Sequence, residues 1–177
     1  MAEYVMKDLV KKAGLEDEFQ IASAATSREE IGNPVYPPAR RKLAEHGISC
    51  GGYAARQLRN RDYEEYDLLI GMDRANLRNR YRICGGDFND KMHLLMEYAG
   101  RRKGPPREPR EAGRAGRGEA RERSEFSPQA ETEKSGLCFD EVADPWYTDD
   151  FDATWRDVLE GCQGLLRSEE HTSELQS

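Results

Sequence analysis

The chain has 177 residues, enough for one domain with a hydrophobic core. Its formal net charge of −7 argues against general nucleic-acid binding. No apolar run reaches membrane-spanning length and no signal peptide is recognisable, so we expect a cytoplasmic protein with no membrane partner. The 4 cysteines form no Cys-x2-Cys pair, which disfavours a disulfide framework or a zinc site; we expect no metal and no cofactor.

The first third of the chain predicts a helix, a strand and a second helix. Apolar residues recur at helical spacing from Ala2 to Ala13, and Gly14 follows as a helix stop. No Ser, Thr, Asp or Asn precedes the first turn, so we interpret this helix as one without its usual capped beginning. A strand is predicted over Phe19–Ala25. Two prolines then open a helix that ends near Gly47.

The middle of the chain and its last helix complete an alternating pattern. A near-continuous apolar run over Tyr66–Met72 predicts a strand buried on both faces. Asp73 is expected to cap the helix that follows, and Met92–Met96 to form another short strand. An amphipathic helix is predicted over Phe151–Leu166. Alternating strands and helices predict an α/β domain with a small parallel sheet flanked by helices.

Two segments fall outside this pattern. Residues 101–137 are rich in Arg, Glu, Gly and Pro, a composition that predicts disorder, and we interpret residues 101–140 as an insertion or a reading error. A basic arm for RNA or an acidic partner is the alternative, and the interleaved glutamates weaken it. Residues 167–177 read as the translation of a sequencing adapter and are expected to lie outside the fold. The predicted domain is therefore residues 1–100 and 141–166.

Several short motifs occur together in an order that identifies a family resemblance. They are Ser23-Ala24-Ala25-Thr26-Ser27, Ile31-Gly32-Asn33-Pro34, His46-Gly47-Ile48, Ala55-Arg56-Gln57, Met72-Asp73, Asn76-Leu77 and Asp144-Pro145-Trp146-Tyr147. Each motif is weak alone, but as a set they resemble the low-molecular-weight protein tyrosine phosphatases. The resemblance covers residues 1–98 and 141–166. It implies the phosphotyrosine phosphatase I-like fold and hydrolysis of a phosphotyrosine protein or a small aryl phosphate through a cysteinyl-phosphate intermediate.

The resemblance also implies roles for individual residues. Asp144, before a proline, matches the general acid, and the aromatic residues Trp146 and Tyr147 match those that flank the substrate ring. Glu29 lies in the variable loop at the pocket entrance, where other members carry an aromatic residue. Ser23 and Asn33 match residues that support loops: Ser23 supports the nucleophilic loop through hydrogen bonds.

One element that the resemblance requires is not found in these residues. In the family, a strand and a Cys-x5-Arg-Ser/Thr loop come just before a helix that begins Met-Ala-Glu. Here the given sequence starts with the residues Met1-Ala2-Glu3. We therefore expect an amino-terminally truncated member that lacks the first central strand and does not catalyse as written. The alternatives are a non-catalytic phosphatase-like binding module (a pseudoenzyme) and, more distantly, an arsenate reductase, which needs further cysteines close together.

A second Cys-x5-Arg spacing is present and is interpreted as incidental. It runs from Cys50 to Arg56 through two glycines. A phosphate loop needs a helix beginning at its arginine and a Ser or Thr after it, and here Gln57 follows. The sequence thus predicts a connection at this point and not a phosphate cradle.

Overall fold

The computed structural model of the protein describes residues 1–52, 54–100, 141–145 and 149–175, with side chains described as far as Glu170. The disorder predicted for residues 101–137 lies outside this part of the chain. Among the described residues, no helix combines the length and the apolarity needed to cross a bilayer.

The described residues form five α-helices, two strands and one 3-10 turn. In chain order these are α1 (Ala2–Ala13), α2 (Pro37–Glu45), α3 (Asn60–Glu65), β1 (Leu69–Gly71), α4 (Arg74–Cys84), β2 (Met92–Leu94), the 3-10 turn Leu95–Glu97 and α5 (Phe151–Leu175).

The sheet consists of β1 and β2, which pair in parallel and are connected through α4. Leu69 lies opposite Met92, and Gly71 lies opposite Leu94. A parallel pair requires a crossover connection, and α4 supplies it. The predicted α/β class with a small parallel sheet is confirmed.

The main core lies where α1, α2 and the 3-10 turn pack against α5. Val5 and Val10 of α1, Leu43 of α2 and Val158 and Cys162 of α5 are each 2% exposed or less. Gly161 and Gly164 of α5 face the 3-10 turn, so that backbone meets backbone there. The predicted amphipathic helix therefore places its apolar face at the centre of the domain.

The predicted helix ends are confirmed at three places. Gly14 ends α1 in the left-handed conformation at φ 74°, which glycine adopts without a steric penalty. The Asp73 carboxylate accepts a hydrogen bond from the backbone N–H of Asn76 at 2.5 Å and caps α4. Met1, before α1, provides no side-chain cap, as the sequence indicates.

The strand predicted over Phe19–Ala25 is wrong except at its last residue. Ala25 pairs with Gln57 in an isolated bridge: its N–H donates to the Arg56 carbonyl at 2.8 Å, and its own carbonyl accepts from Leu58 at 2.9 Å. Residues 19–22 make no backbone-to-backbone hydrogen bond within the described part of the chain. The residues were predicted to form a strand, but a strand also needs a neighbouring ladder of donors and acceptors.

Other boundaries differ from the prediction for local reasons. β1 begins at Leu69 because Tyr66 ends α3, a helix that the apolar pattern did not indicate. β2 stops at Leu94, where the chain tightens into the 3-10 turn. α5 continues to Leu175 instead of ending at Leu166, so part of the predicted terminal tail is helical.

Acid sensitivity of the fold follows from the Asp87 carboxylate. It accepts hydrogen bonds from the Tyr63 hydroxyl (2.8 Å) and from the backbone N–H groups of Lys91 (2.8 Å) and Met92 (3.0 Å). Burial alone would raise the pKa of Asp87, but these hydrogen bonds outweigh it and the pKa is lowered. The pKa of Asp62 is also lowered, because the hydrogen bonds from its partners outweigh burial.

We therefore expect the free energy of unfolding to fall as the pH drops below about 4. A carboxyl whose folded-state pKa is depressed stabilises the fold above its unfolded pKa, and this stability is lost as the pH falls through the folded value. Urea unfolding between neutral pH and about pH 3 measures the effect. Asp87→Asn should flatten the pH dependence, whereas Asp17→Asn at an exposed position should not. An equally steep curve for Asp87→Asn would remove Asp87 from this role.

Candidate functional site

The segment that contains Asp144 is attached to the carboxyl end of β1. The N–H of Val142 donates to the carbonyl oxygen of Met72 at 2.9 Å. The N–H of Arg74, at the start of α4, donates to the Glu141 carboxylate at 3.0 Å. In open α/β sheets, ligands bind outside the carboxyl ends of the strands, so this edge is where a site is expected.

The same segment is also held to the start of α5. The N–H of Ala143 donates to Asp157 Oδ2 at 3.1 Å, and the Thr154 hydroxyl donates to the Ala143 carbonyl at 2.8 Å. Thr154 is 6% exposed, so this second bond is largely shielded from water. After Asp144, the Pro145 carbonyl accepts from the N–H of Asp149 at 2.8 Å.

Asp144 itself is exposed between these two anchors. A carboxyl that transfers a proton to a substrate must reach solvent space and be held in a fixed orientation. The chain on either side of Asp144 meets the second requirement. Trp146 and Tyr147, predicted to flank the substrate ring, lie outside the described residues.

Ser23 connects the 19–25 segment to the first turn of α1. Its hydroxyl donates to Glu3 Oε2 at 2.5 Å, and the Lys7 ammonium donates to Glu3 Oε1 at 2.6 Å. Burial would raise the pKa of Glu3, but the hydrogen bonds from Lys7 and Ser23 outweigh it and the pKa is lowered. Glu3 is therefore a charged anchor that the sequence reasoning missed, because no local pattern joins residues 20 positions apart.

Asn33 and Glu29 belong to a loop that pairs with residues 55–57. The N–H of Gly32 donates to the Ala55 carbonyl at 2.8 Å, and the N–H of Ala55 donates to the Asn33 carbonyl at 2.9 Å. The Asn33 side-chain amide donates to the Glu30 carboxylate at 2.8 Å. Glu29 is exposed on this loop. The entrance role of Glu29 and the supporting role of Asn33 stay predictions.

The start of α1 and the Asp144 segment border one core. Met1 and Met72 pack against the same cluster of buried residues that contains Val142. The beginning of α1 and the Asp144 segment thus pack against the same hydrophobic core. The loop of Glu29 and Asn33 is held separately, through residues 55–57.

The Cys50–Arg56 segment has contacts that differ from those of a phosphate cradle. Arg56 Nη1 donates to both carboxylate oxygens of Asp62 at 2.9 Å, and Asp62 is 5% exposed. The hydrogen bond to Asp62 raises the pKa of Arg56. The next helix begins at Asn60, not at Arg56. The Arg56 guanidinium is therefore engaged in fixing a turn, in agreement with the interpretation of this spacing as incidental.

Two grooves on the described surface lie away from Asp144. One, of about 310 Å³, runs between α1 and residues 16–21. The other, of about 350 Å³, lies beside α3 and the residues before β2. Neither is lined by a predicted site residue. We place the candidate site at the carboxyl end of β1. Proton transfer needs an exposed carboxyl on a loop that hydrogen bonds hold in place, and the size of a groove does not provide this.

No group of three His, Cys, Asp or Glu side chains suited to a metal ion occurs in the described part of the chain.

Comparison with known proteins decides the family. The model of the family described as "Low molecular weight phosphotyrosine protein phosphatase" matches residues 1–123. The chain belongs to this family. A curated relative, the low molecular weight protein-tyrosine-phosphatase YfkJ of Bacillus subtilis, is 27% identical over 168 residues, covering 95% of this chain and 85% of that protein. The low molecular weight phosphotyrosine protein phosphatase of Gallus gallus is 38% identical over 100 residues, covering 55% of this chain and 63% of that protein.

The solved structures show the same fold. The crystal structure of YfkJ from Bacillus subtilis superposes with a TM-score of 0.71 at 26% identity and covers 97% of this chain and 86% of that chain. The low molecular weight phosphatase fold recognised from the motifs is therefore confirmed.

Proposed function

We propose that this chain is the part of a low molecular weight tyrosine phosphatase that carries the general acid. The observation that supports this most is the position of Asp144, exposed at the carboxyl end of β1 and hydrogen-bonded on both sides through Val142, Ala143 and Pro145. Its substrates would be phosphotyrosine proteins or small aryl phosphates. We assign this function to residues 1–100 and 141–166, with 101–140 as an insertion or a reading error and 167–177 as a sequencing-adapter scar.

The proposed reaction has two steps in which Asp144 moves the proton. A cysteine thiolate attacks phosphorus and forms the S–P bond while the P–O bond to the phenol breaks, and Asp144 gives its proton to the leaving phenolate oxygen. Water then attacks phosphorus and the S–P bond breaks. Asp144 takes a proton from that water, so inorganic phosphate, the thiolate and the acid are restored. Trp146 and Tyr147 would flank the ring, and Glu29 would stand at the entrance, with Ser23 and Asn33 supporting the loops.

We infer that none of the cysteines the structure describes is the nucleophile of this reaction. Burial raises the pKa of Cys162 to about 12 and also raises the pKa of Cys84. A nucleophilic cysteine needs the opposite shift, which a helix N-terminus or a neighbouring cation provides. None of the 4 cysteines in the sequence begins a Cys-x5-Arg-Ser/Thr motif. On this proposal the residues given supply the acid and not the thiolate.

We expect the chain as given not to hydrolyse p-nitrophenyl phosphate above the buffer rate. Cys50→Ser should leave this result unchanged, because Cys50 lies in a connection whose arginine is paired with Asp62. Release of p-nitrophenol that Cys50→Ser abolishes would contradict the proposal and make Cys50 the nucleophile. Release that survives Cys50→Ser would contradict the cysteine mechanism itself.

A non-catalytic phosphatase-like module is the second candidate, favoured by the same lack of a Cys-x5-Arg-Ser/Thr motif in these residues. The two proposals predict different results for a chain in which the strand and nucleophilic loop of a family member are joined ahead of Met1. A phosphatase part gains turnover from this extension, whereas a binding module does not. Turnover of p-nitrophenyl phosphate by the extended chain therefore separates them.

A further inference from the structure

The solvent face of α4 carries three arginines and no acidic side chain. The exposed residues of this helix are Arg74, Ala75, Arg78, Tyr81 and Arg82. At about 100° per residue, the turn of an α-helix places them on one continuous face. No Asp or Glu occurs anywhere in α4. We call Arg74, Arg78 and Arg82 the arginine stripe.

The arginine stripe does not stabilise its own helix. Its members are spaced four positions apart, and like charges at this spacing destabilise a helix. In α3 the same spacing joins opposite charges, with Arg61 bonded to Glu65 at 3.0 Å, and α1 shows this pattern twice. Within the described part of the chain, no ion pair or hydrogen bond joins the side chain of Arg78 or Arg82 to another residue. Helix stability therefore does not explain the arginine stripe.

The arginine stripe begins beside the candidate site. Arg74 is the first residue of α4, and its N–H donates to the Glu141 carboxylate at 3.0 Å. The Arg74 guanidinium lies 3.8 Å from the same carboxylate oxygen. Glu141 precedes Asp144 by three residues in the segment attached to β1. A molecule bound along the arginine stripe would therefore lie next to this segment.

We propose that the arginine stripe binds an extended acidic segment of a partner protein, with two of its carboxylates on Arg78 and Arg82. Residues four apart in a helix are separated by about 6 Å along the axis. Alternate residues of an extended chain are separated by about 6.6 Å and point to the same side. Two acidic residues at alternate positions therefore match the two guanidinium groups. The hydroxyl of Tyr81, which lies between these arginines in the helix, can donate to a carboxylate as well.

The composition of this face favours a protein segment over an anionic membrane. A helix that binds a membrane surface inserts a broad apolar face beside its cations, and here only Ala75 and Tyr81 accompany the arginines. The formal net charge of −7 opposes approach to an extended negative surface. A short acidic segment mainly meets the charges within a Debye length, about 8–10 Å, and these include the arginine stripe.

Titration of the isotope-labelled chain with a peptide of alternating Glu and Ser, followed by amide chemical shifts, tests the proposal. The binding requires neither a nucleophile nor Asp144, so the chain as given is used and the result is independent of the proposed catalytic function. At about 20 mM salt we expect a dissociation constant on the order of 0.1–1 mM, with shifts concentrated on α4 and weaker binding at about 200 mM salt.

Two comparisons decide whether the peptide is the right kind of partner. A peptide with Gln in place of every Glu should not bind, because it lacks the carboxylates. Equal affinity for the Gln peptide, or shifts that avoid α4, would overturn the proposal. Tighter binding to phosphatidylserine vesicles than to the acidic peptide would also overturn it and assign the arginine stripe to a membrane.

The variant Arg78→Glu separates recognition from folding. It places a glutamate four residues from both Arg74 and Arg82, so two repulsive pairs become attractive. The free energy of unfolding in urea should be equal to that of the parent chain or higher, whereas the dissociation constant of the acidic peptide should rise at least about tenfold.

Arg41→Glu is the matched control for this variant. Arg41 is exposed in the middle of α2, a helix that packs against α5, and the change in net charge is the same. Its dissociation constant should stay within about twofold of the parent value. Equal weakening by Arg78→Glu and Arg41→Glu would mean that net charge and not the arginine stripe attracts the peptide, and the proposal would be wrong.

Discussion

Gly164→Ala should lower the free energy of unfolding by more than about 3 kcal/mol. A Cβ atom at this position would lie 2.6 Å from the carbonyl carbon of Tyr98 and overlap the carbonyl oxygen. The obstacle is backbone, which has no rotamer to change, so α5 would have to move away from the 3-10 turn. That movement would open the core around Val158 and Cys162, which are each 2% exposed.

Gln163→Ala is the matched control for this change. Gln163 is the exposed neighbour of Gly164 on the same helix, and alanine is the strongest helix former. Its stability should stay within about 0.5 kcal/mol of the parent chain in urea unfolding. Equal stabilities for Gly164→Ala and Gln163→Ala would show that α5 does not pack on the 3-10 turn through backbone contact.

Asp144→Asn should lower the turnover number by about 10²- to 10⁴-fold in a chain extended at its amino end by the strand and nucleophilic loop of a family member. An amide of nearly the same shape keeps the loop contacts of Val142 and Ala143 but has no proton to give to the leaving phenolate. The Michaelis constant should change little, because in the proposed mechanism the nucleophilic loop, and not Asp144, binds the phosphoryl group.

Asp149→Asn is the control for the second prediction. It removes one carboxylate from the same segment, and asparagine tolerates the left-handed backbone at φ 54° that Asp149 adopts. Turnover of the control should stay within a few-fold of the extended parent. Equal losses in both variants would mean that the acidic character of the segment, and not Asp144, is what catalysis requires.

The sequence predicted the elements whose formation depends on local patterns. Apolar spacing and a glycine stop defined α1, and the capping aspartate Asp73 located the start of α4. The helix α3 was missed because it carries little apolar periodicity. Its start is fixed instead by Asp62, which accepts from Arg56 and from the N–H of Arg59. The predicted strand Phe19–Ala25 was wrong except at Ala25, because the residues before Ala25 have no pairing partner among the described residues.

Only the residues of the candidate site that belong to a sequence motif could be predicted. The acid role of Asp144 was predicted from the whole set of family motifs, one of which contains its proline and aromatic neighbours, and the structure locates its segment at the carboxyl end of β1. The residues that hold the segment there were not predictable. Glu141 bonds to Arg74, 67 positions away, and Asp157 to Ala143, 14 positions away. Such contacts depend on the packing of α5 and β1, which no local spacing encodes.

The dependence of kcat/KM on the leaving group tests the central claim, that Asp144 is the acid of a tyrosine phosphatase, most directly. In the extended chain, a series of aryl phosphates with phenols of rising pKa should react at nearly constant kcat/KM, because the acid neutralises the leaving oxygen. In the Asp144→Asn variant, kcat/KM should fall steeply as the pKa of the phenol rises. Parallel, equally shallow dependences for the two proteins would contradict the assignment of Asp144 as the general acid.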